Sequence, residues 1–506
     1  MKKPNTLVYI PSGLQSPELE ILLSKSQEII NSNKSNLHII SCLGTKNYAC
    51  SFNIYSQKLI CAACKNRLKN GLKHLRGKYI LSETPEIIDD FPLYNKKIFN
   101  KILDKKKLIE TYYKNIDVGI SSYSSYLSIS RDMELEGFLA DKSLKKILIC
   151  TIVLSDFFFR YLKEKNIKEI FIYNGRQSQN RVLFRIAKIF KIRLTVLEHT
   201  TIFKNSNGVR NFEDNLPNDI NFFTNKIKNH ISSFSVAKKK MNVSNYFKFK
   251  QMGLVINDKI SYIKKQQSEY LPKNWDPKKK NIVFFTSSED EYAALGGEYN
   301  NLIYENQSDA ISKIINVFKN KKNKEYQLWI RMHPNLNKVK WNFNTRIIKL
   351  ENLHSNIHII KPLSKASTYK MMISSDKVLA FYSTTAIEAA YLKKPTILLG
   401  RQYFERLGFC YIPKDHNEVI KLIFDSNLKA KNASGAAKLA LYWIEKGFKQ
   451  KFFWGNHVDG YKFNNKTIDY SFLYKLIFYF GKLLCYYFYQ LLNFYLRSFK
   501  KRSSLI

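Results

Sequence analysis

Short apolar runs alternate along most of the chain with stretches whose apolar residues recur at helical spacing. That pattern predicts α/β units built on parallel sheets. In the first half, strands are expected at 6–10 (TLVYI), 37–43 (LHIISCL), 169–173 (EIFIY) and 193–197 (RLTVL). Helices are expected at 17–31, 97–115, 143–165 and 178–190. A Lys- and Asn-rich stretch, 225–280, carries little strand signal, and its end, YLPKNWDPKKKN, reads as a connection between domains. The alternation then restarts, with strands at 281–286 (NIVFFT), 326–331 (YQLWIR), 357–360 (IHII), 377–382 (KVLAFY) and 395–399 (PTILL). Helices fall at about 305–320, 365–374 and 384–393, and later near 414–425 and 432–446. The prediction is two successive Rossmann-like α/β domains with a cleft between them, 1–224 and 281–450, joined by 225–280 and followed by a C-terminal segment, 451–506.

Composition changes this picture little. The 506 residues exceed one domain at roughly 100–200 residues each, and 45% are hydrophobic, too many for a disordered basic tail to dominate. Lys and Arg number 83 against 41 Asp and Glu, a formal charge of +42. Such a charge attracts any polyanion and selects none. Lysine also recurs on ordinary helix faces such as 312–325, which points to an AT-rich coding bias and a solvated surface. No zinc-finger pattern, RNP-like strand or basic zipper accompanies it, so no specific nucleic-acid partner is expected. The N-terminal apolar run, 7–10, ends at Pro11, which reads as a first buried strand and not a signal peptide, and a cytoplasmic protein is expected.

Ligands of open α/β sheets bind beyond the carboxyl ends of the strands, so candidate chemistry is sought there. After 281–286, Ser287 and Ser288 can cap a helix facing an anion, while Glu289, Asp290 and Glu291 equally satisfy a helix dipole. After 326–331 comes Arg331-Met332-His333-Pro334. The proline keeps His333 extended and aims it off the strand, beside Arg331, toward a phosphate or nucleotide. After 377–382, Ser383 ends a strand and Thr384 and Thr385 open a helix, converging hydroxyls and N–H groups on one anion-binding point. Glu388 follows one turn later, and the whole segment is also an ordinary helix start.

Taken together, His333-Pro334, Ser383-Thr384, Glu388-Ala389 and Lys394-Pro395 resemble the C-terminal domain of GT-B glycosyltransferases of bacterial surface polysaccharides, the capsule polysaccharide biosynthesis type above all. CDP-glycerol polymerases and bacterial sialyltransferases share parts of the pattern. The resemblance covers about 281–410 and departs at Lys393, where many relatives carry glycine. It implies that His333 and the Ser383/Thr384 turn hold the phosphates of a nucleotide-sugar donor and that Glu388 holds its ribose. In the first half, Asn174-Gly175-Arg176 resembles the N-G-R turn of capsule-type relatives, with Gly175 permitting close backbone approach and Arg176 available to an acidic group on the acceptor side. Glu198 and His199, and after them Asp117, are candidates for the base that deprotonates an acceptor hydroxyl.

Two features stand outside the motifs. Cys42, Cys50, Cys61 and Cys64 space as C-x7-C-x10-C-x2-C, which reads either as a structural zinc set or as four separate reduced thiols. The run 470–497 is rich in Tyr, Phe and Leu, with Lys475, Lys482, Gln490, Asn493, Arg497 and Lys500 loosely along one side. Two internal lysines argue against a spanning helix and for one lying in an anionic membrane interface, or else packed back on the protein. The expectation is therefore a glycosyltransferase moving a sugar from a nucleotide-sugar to a lipid-linked or polysaccharide acceptor, in capsule or lipopolysaccharide synthesis at the inner face of the cell membrane. The transfer step is expected to require no metal, because helix N-termini and cationic side chains can stabilise the departing phosphate. The alternatives are a CDP-alcohol polyol-phosphate transferase and a non-catalytic basic membrane or nucleic-acid binder.

Overall fold

The computed structural model describes residues 3–475 other than 43–48, 86–104, 134, 136–137, 201–207, 230–236, 255–262, 294, 320–324, 340–346, 352–353, 446, 457–459 and 473. The first domain is built on β1 (Asn5–Ile10), β2 (Asn36–Ser41), β3 (Ile80–Glu83), β4 (Ile167–Tyr173), β5 (Arg193–Thr200) and β6 (Gly208–Glu213). Its sheet runs β12-β6-β5-β4-β1-β2-β3, where β12 is Phe448–Lys449. The strands from β3 to β5 are parallel, and β6 and β12 are antiparallel additions at one edge. The second domain is an all-parallel sheet, β11-β10-β7-β8-β9, from β7 (Lys280–Phe285), β8 (Tyr326–Arg331), β9 (Ile357–Ile360), β10 (Lys377–Ala380) and β11 (Thr396–Leu398). Every residue of β8 and β10 is buried, as expected for strands covered on both faces.

The order places one topological switch point in each sheet. In the first, β1 lies between β2 and β4; in the second, β7 lies between β8 and β10. The loops that leave β7, β8 and β10 therefore meet at one crevice.

Three departures from the sequence reading have physical causes. Residues 118–130 form an unforeseen helix, Val118–Ser130, despite six serines. Ser121, Ser122 and Ser130 return their hydroxyl protons to the carbonyls of Asp117, Val118 and Tyr126, which lets a polar-looking segment bury one whole turn after another. The stretch 225–280 holds the helix Ala237–Gln251, which buries Val243, Tyr246 and Phe247, with Phe247 stacked on Tyr391 at 3.8 Å. Finally, the chain after the second sheet returns to the first domain. The helix Ser434–Glu445 packs on Ala237–Gln251 and on Thr385–Tyr391, and β12 then extends the first sheet. Beyond it, β13 (Phe453–Asn456), β14 (Gly460–Phe463) and β15 (Lys466–Thr467) make a small antiparallel sheet. Phe453, Tyr461 and Phe463 bury against Leu19, Leu22 and Leu23 of the helix Glu18–Ser32. So the early part of the segment 451–506, read from sequence as membrane-associating, completes the first domain's core instead. Residues 476–506, which hold most of the proposed interfacial helix, lie outside the described residues. Among the described residues, no helix is long and apolar enough to cross a membrane.

Candidate active site at the cleft

Pro334 holds His333 extended, at φ −62° and ψ 133°, where β8 ends. The backbone N–H of His333 donates to Thr286 Oγ1 at 2.8 Å, tying the loop after β8 to the loop after β7. Its ring Nδ1 accepts from the N–H of Asn335 at 3.1 Å. A neutral imidazole with Nδ1 occupied as acceptor carries its proton on Nε2, so the ring presents an N–H donor. Burial first, then the charges of Arg331 and Arg131, push the His333 pKa down to about 4. Asn335 Nδ2 donates to Ser288 Oγ at 3.1 Å. Ser287 donates its backbone N–H to Gln307 at 2.8 Å, and its buried hydroxyl has no partner among the described residues.

An arginine from the first domain reaches into this set. Arg131 follows the Val118–Ser130 helix in a left-handed conformation, φ 52°. Its guanidinium grips Asp290 at 2.7 and 3.0 Å and donates to Ser288 Oγ and the carbonyl of Asn335, each at 3.2 Å. The acidic trio thus divides its tasks. Asp290 pairs across the cleft, Glu289 accepts from the N–H of Gln307 at the start of the helix Gln307–Phe318, and the Glu291 carbonyl accepts from Arg176.

Arg331 does less than its position promised. Its guanidinium donates to the carbonyls of Lys361 at 2.7 Å and Ser364 at 3.4 Å, bracing the loop after β9, and Nε is buried without a partner among the described residues. Burial pulls its pKa down to about 10. Ser383 Oγ and Thr385 Oγ1 lie 2.8 Å apart at the start of the helix Thr385–Tyr391, while Thr384 makes no side-chain cap. Glu388, expected at a ribose, accepts from Tyr369 Oη at 2.6 Å and pairs with Lys250 Nζ at 2.5 Å. Lys393 sits at φ 57°, a left-handed conformation that glycine adopts without strain.

On the first domain, Asn174 takes φ 58° and Gly175 φ 75°, and a Cβ on Gly175 would meet Leu216 Cδ2 at 2.7 Å. The turn directs Asn174 Nδ2 to Glu198 Oε1 at 2.8 Å. Burial raises the Glu198 pKa, against the opposing pull of Arg210, Asn174 and Arg176. His199, the next residue on β5, faces the other side of the sheet, as strand alternation requires. Its ring meets Phe453 and Tyr461 edge-on at 5.8 and 5.3 Å, so it belongs to an aromatic cluster and not to the cleft. Asp117 lines the cleft and is clamped by Arg181 at 2.6 Å and Arg185 at 2.8 Å. Burial works against its charge, but the two guanidinium groups outweigh burial and hold its pKa below the usual range.

The cysteine cluster is looser than its spacing. Cys61 and Cys64 share one face of the helix Lys58–Leu72. Cys61 Sγ accepts from Asn53 Nδ2 and Cys64 Sγ from the N–H of Gly13, both at 3.1 Å. Burial raises Cys64 to about 11 and Cys50 well above the usual thiol value. Among the described residues, no three His, Cys, Asp or Glu side chains are placed to hold a metal ion.

Arg131, Lys250 and the clamping of Asp117 by Arg181 and Arg185 escaped the sequence reading, though Asp117 itself was a candidate base. Only the last left a trace there, an i,i+4 arginine pair in SQNRVLFRIAK.

Two Rossmann-like sheets, with imidazole, hydroxyl and amide groups gathered at the second sheet's switch point, give the chain a GT-B-like architecture. A family profile described as capsule polysaccharide biosynthesis protein matches residues 191–421, just under half of the chain. His333-Pro334, Ser383-Thr384, Glu388 and Lys394-Pro395 all fall within that stretch. No curated protein matches the chain. Among solved structures, KpsC of Thermosulfurimonas dismutans, titled a beta Kdo 2,4 transferase, is 13% identical, with 55% of this chain and 79% of that one covered and a TM-score of 0.36. MnaA of S. aureus with UDP is 10% identical over 89% of this chain and 93% of that one, at a TM-score of 0.26. UDP-GlcNAc 2-epimerase from Neisseria meningitidis bound to UDP-GlcNAc is 14% identical over 88% and 91%, at 0.23.

Proposed function

We propose that this protein is a glycosyltransferase of capsule polysaccharide synthesis that takes a sugar from a nucleotide-linked donor bound to its second domain. The observation that carries the reading is the joining of Ser288, His333 and Asn335 at the β7/β8 crevice, with Arg131 delivered to the same point from the other domain. In transfer, the acceptor hydroxyl forms a bond to the anomeric carbon as the bond from that carbon to the phosphate oxygen breaks. Negative charge gathers on the phosphate, where the His333 N–H, the Ser287 and Ser383 hydroxyls and the Arg131 guanidinium can meet it. The acceptor proton passes to a base on the first domain. Glu198 suits that task better than Asp117, because burial raises its pKa while two arginines hold that of Asp117 below its usual range.

Donor hydrolysis tests the reading, using CMP-, UDP-, GDP- and CDP-linked sugars beside CDP-glycerol and CDP-ribitol. Turnover of a sugar nucleotide, with nucleotide-dependent thermal stabilisation that disappears in His333→Ala, is the expected result. Turnover of the CDP-polyols alone refutes sugar transfer. The Tyr- and Lys-rich run after 475 supports attachment to an anionic membrane, where lipid-linked acceptors are elongated. Co-sedimentation with phosphatidylglycerol vesicles that survives deletion of 476–506 counts against it.

A further inference from the structure

One outer flank of the first domain carries charge of a single sign. The helix Lys58–Leu72 turns Ala63, Arg67, Leu68, Gly71 and Leu72 inward. Lys58, Lys65 and Lys69 recur at i, i+7 and i+11, and Lys73 ends the helix at i+15, so the four lie along its opposite side. The last described stretch of the chain is laid beside this stripe. Arg67 Nε donates to the carbonyl of Ile468 at 2.8 Å, Asn70 Nδ2 to that of Asp469 at 3.0 Å, and the N–H of Ser471 to Asn66 Oδ1 at 2.8 Å. Asn464 Nδ2 reaches the carbonyl of His74 at 3.4 Å, so β14 and β15 abut the end of the same helix. Lys466 and Lys73 both stand near enough to His74 to lower its pKa, after burial, the larger cause. On β14, Lys462 lies 5.6 Å from the ring of Trp454, its partner across the strand pair.

Over 58–82 and 460–475 the sequence holds ten Lys and Arg and a single acid, Asp469. Asp469 is taken by Lys475 at 2.9 Å, and Arg67 is buried against Glu20. On the neighbouring helix Glu18–Ser32, Glu28 pairs with Lys25 at 3.4 Å. Among the described residues, Lys58, Lys65, Lys69, Lys73, Lys462 and Lys466 form no ion pair. Crowded cations without counter-charges repel one another, and an extended anionic surface relieves that repulsion. Exposed rings border the lysines: Trp454 is 45% exposed and Phe472 76%. A bilayer interface accepts such rings at headgroup depth, whereas a bare phosphate backbone leaves them in water. From Lys475 the chain passes directly into 476–506, a sequence with five Lys and Arg, many Phe, Tyr and Leu, and no acid.

We infer that this face, the lysine stripe of the helix Lys58–Leu72 with β13–β15 beside it, docks on an anionic bilayer surface, with Trp454 and Phe472 at its rim. The inference rests on the membrane attachment proposed above and deepens it. The run after 475 tethers the protein, and the folded body supplies a second, orienting contact at the high effective concentration that tethering creates.

Co-sedimentation of the full chain with phosphatidylglycerol-containing and pure phosphatidylcholine vesicles is the test. The substitutions Lys65→Gln, Lys69→Gln, Lys73→Gln and Lys466→Gln together should weaken binding to the anionic vesicles about tenfold or more, with the thermal midpoint unchanged and no effect on phosphatidylcholine. Added salt should shrink the difference between the two proteins. As a control of equal charge, Lys273→Gln, Lys278→Gln, Lys319→Gln and Lys421→Gln remove four exposed lysines from the second domain's side of the chain and should leave binding within about twofold. Equal losses in the two variants reduce the effect to net charge and overturn the inference, as does unchanged binding in the first variant. Loss of salt-sensitive DNA binding in the first variant, with vesicle binding intact, assigns the face to nucleic acid and overturns it too. Binding that survives deletion of 476–506 defeats the tether instead, and the lysine substitutions still decide the face.

Discussion

Acid should unfold this protein partly through one imidazole. The ordinary histidine pKa is about 6.5 and that of His333 in the folded chain is about 4. Between those values the unfolded chain binds a proton that the folded chain refuses, so stability falls as the pH is lowered. The contribution is fully present above pH 7, is down by ~2 kcal/mol at pH 5 and by ~3 kcal/mol at pH 4, because a tenfold difference in proton affinity is worth about 1.4 kcal/mol. Burial of the ring is the main cause, and Arg331 and Arg131 repel the charge. A second ring proton must also displace the N–H of Asn335 from Nδ1. Urea unfolding of the wild type and of His333→Gln, repeated from pH 7.5 to pH 4, isolates the imidazole's contribution as the difference between the two curves. That difference should move by ~3 kcal/mol against the wild type over the range. A parallel pair of curves, or an imidazole titration by NMR centred near 6.5, refutes the reasoning. Arg131→Ala should move the NMR midpoint upward by removing one of the two cations.

Arg131→Ala should also lower kcat/KM for transfer by ~10²–10³-fold, the usual loss for one preorganised donor at a developing anion, with a smaller change in nucleotide affinity; equal losses in both reduce Arg131 to a binding contact. Glu198→Gln should reduce kcat by ~10²–10⁴-fold and abolish the acidic limb of the pH–rate profile, whereas an unchanged profile moves the base elsewhere. Gly175→Ala should cost ~1–2 kcal/mol in chemical denaturation, since φ is 75° and the new methyl meets Leu216; a neutral result means the turn relaxes.

The second domain was the more legible half because parallel strands covered on both faces read as unbroken apolar runs. NIVFF, YQLWI and KVLA announce β7, β8 and β10 directly. The edges were silent for the opposite reason. β3 is largely exposed and β12 is two exposed residues, so neither shows a buried pattern. The loops after β7, β8 and β10 could be located because the switch-point rule depends on strand order alone. The partners of their side chains depend on tertiary approach. Glu388 was legible as a carboxylate on a helix start, but its pairing with Lys250 depends on a helix 138 residues earlier in the chain. Glu198 and His199 are adjacent letters with opposite fates, because the pleat sends them to opposite faces of β5.

The return of the chain after residue 434 bears on how the protein is made. Helix Glu18–Ser32 and β6 are synthesised early, yet β12 and the β13–β15 sheet that cover them come after the whole second domain. During translation the apolar face carrying Leu19, Leu22 and Leu23 therefore waits, uncovered by Phe453 and Phe463, until more than four hundred further residues have emerged. Domains usually fold as units in order from the N-terminus. Here the second domain can close first, and the first is finished last, so a nascent chain stalled before β12 offers a chaperone an exposed leucine face and an open sheet edge.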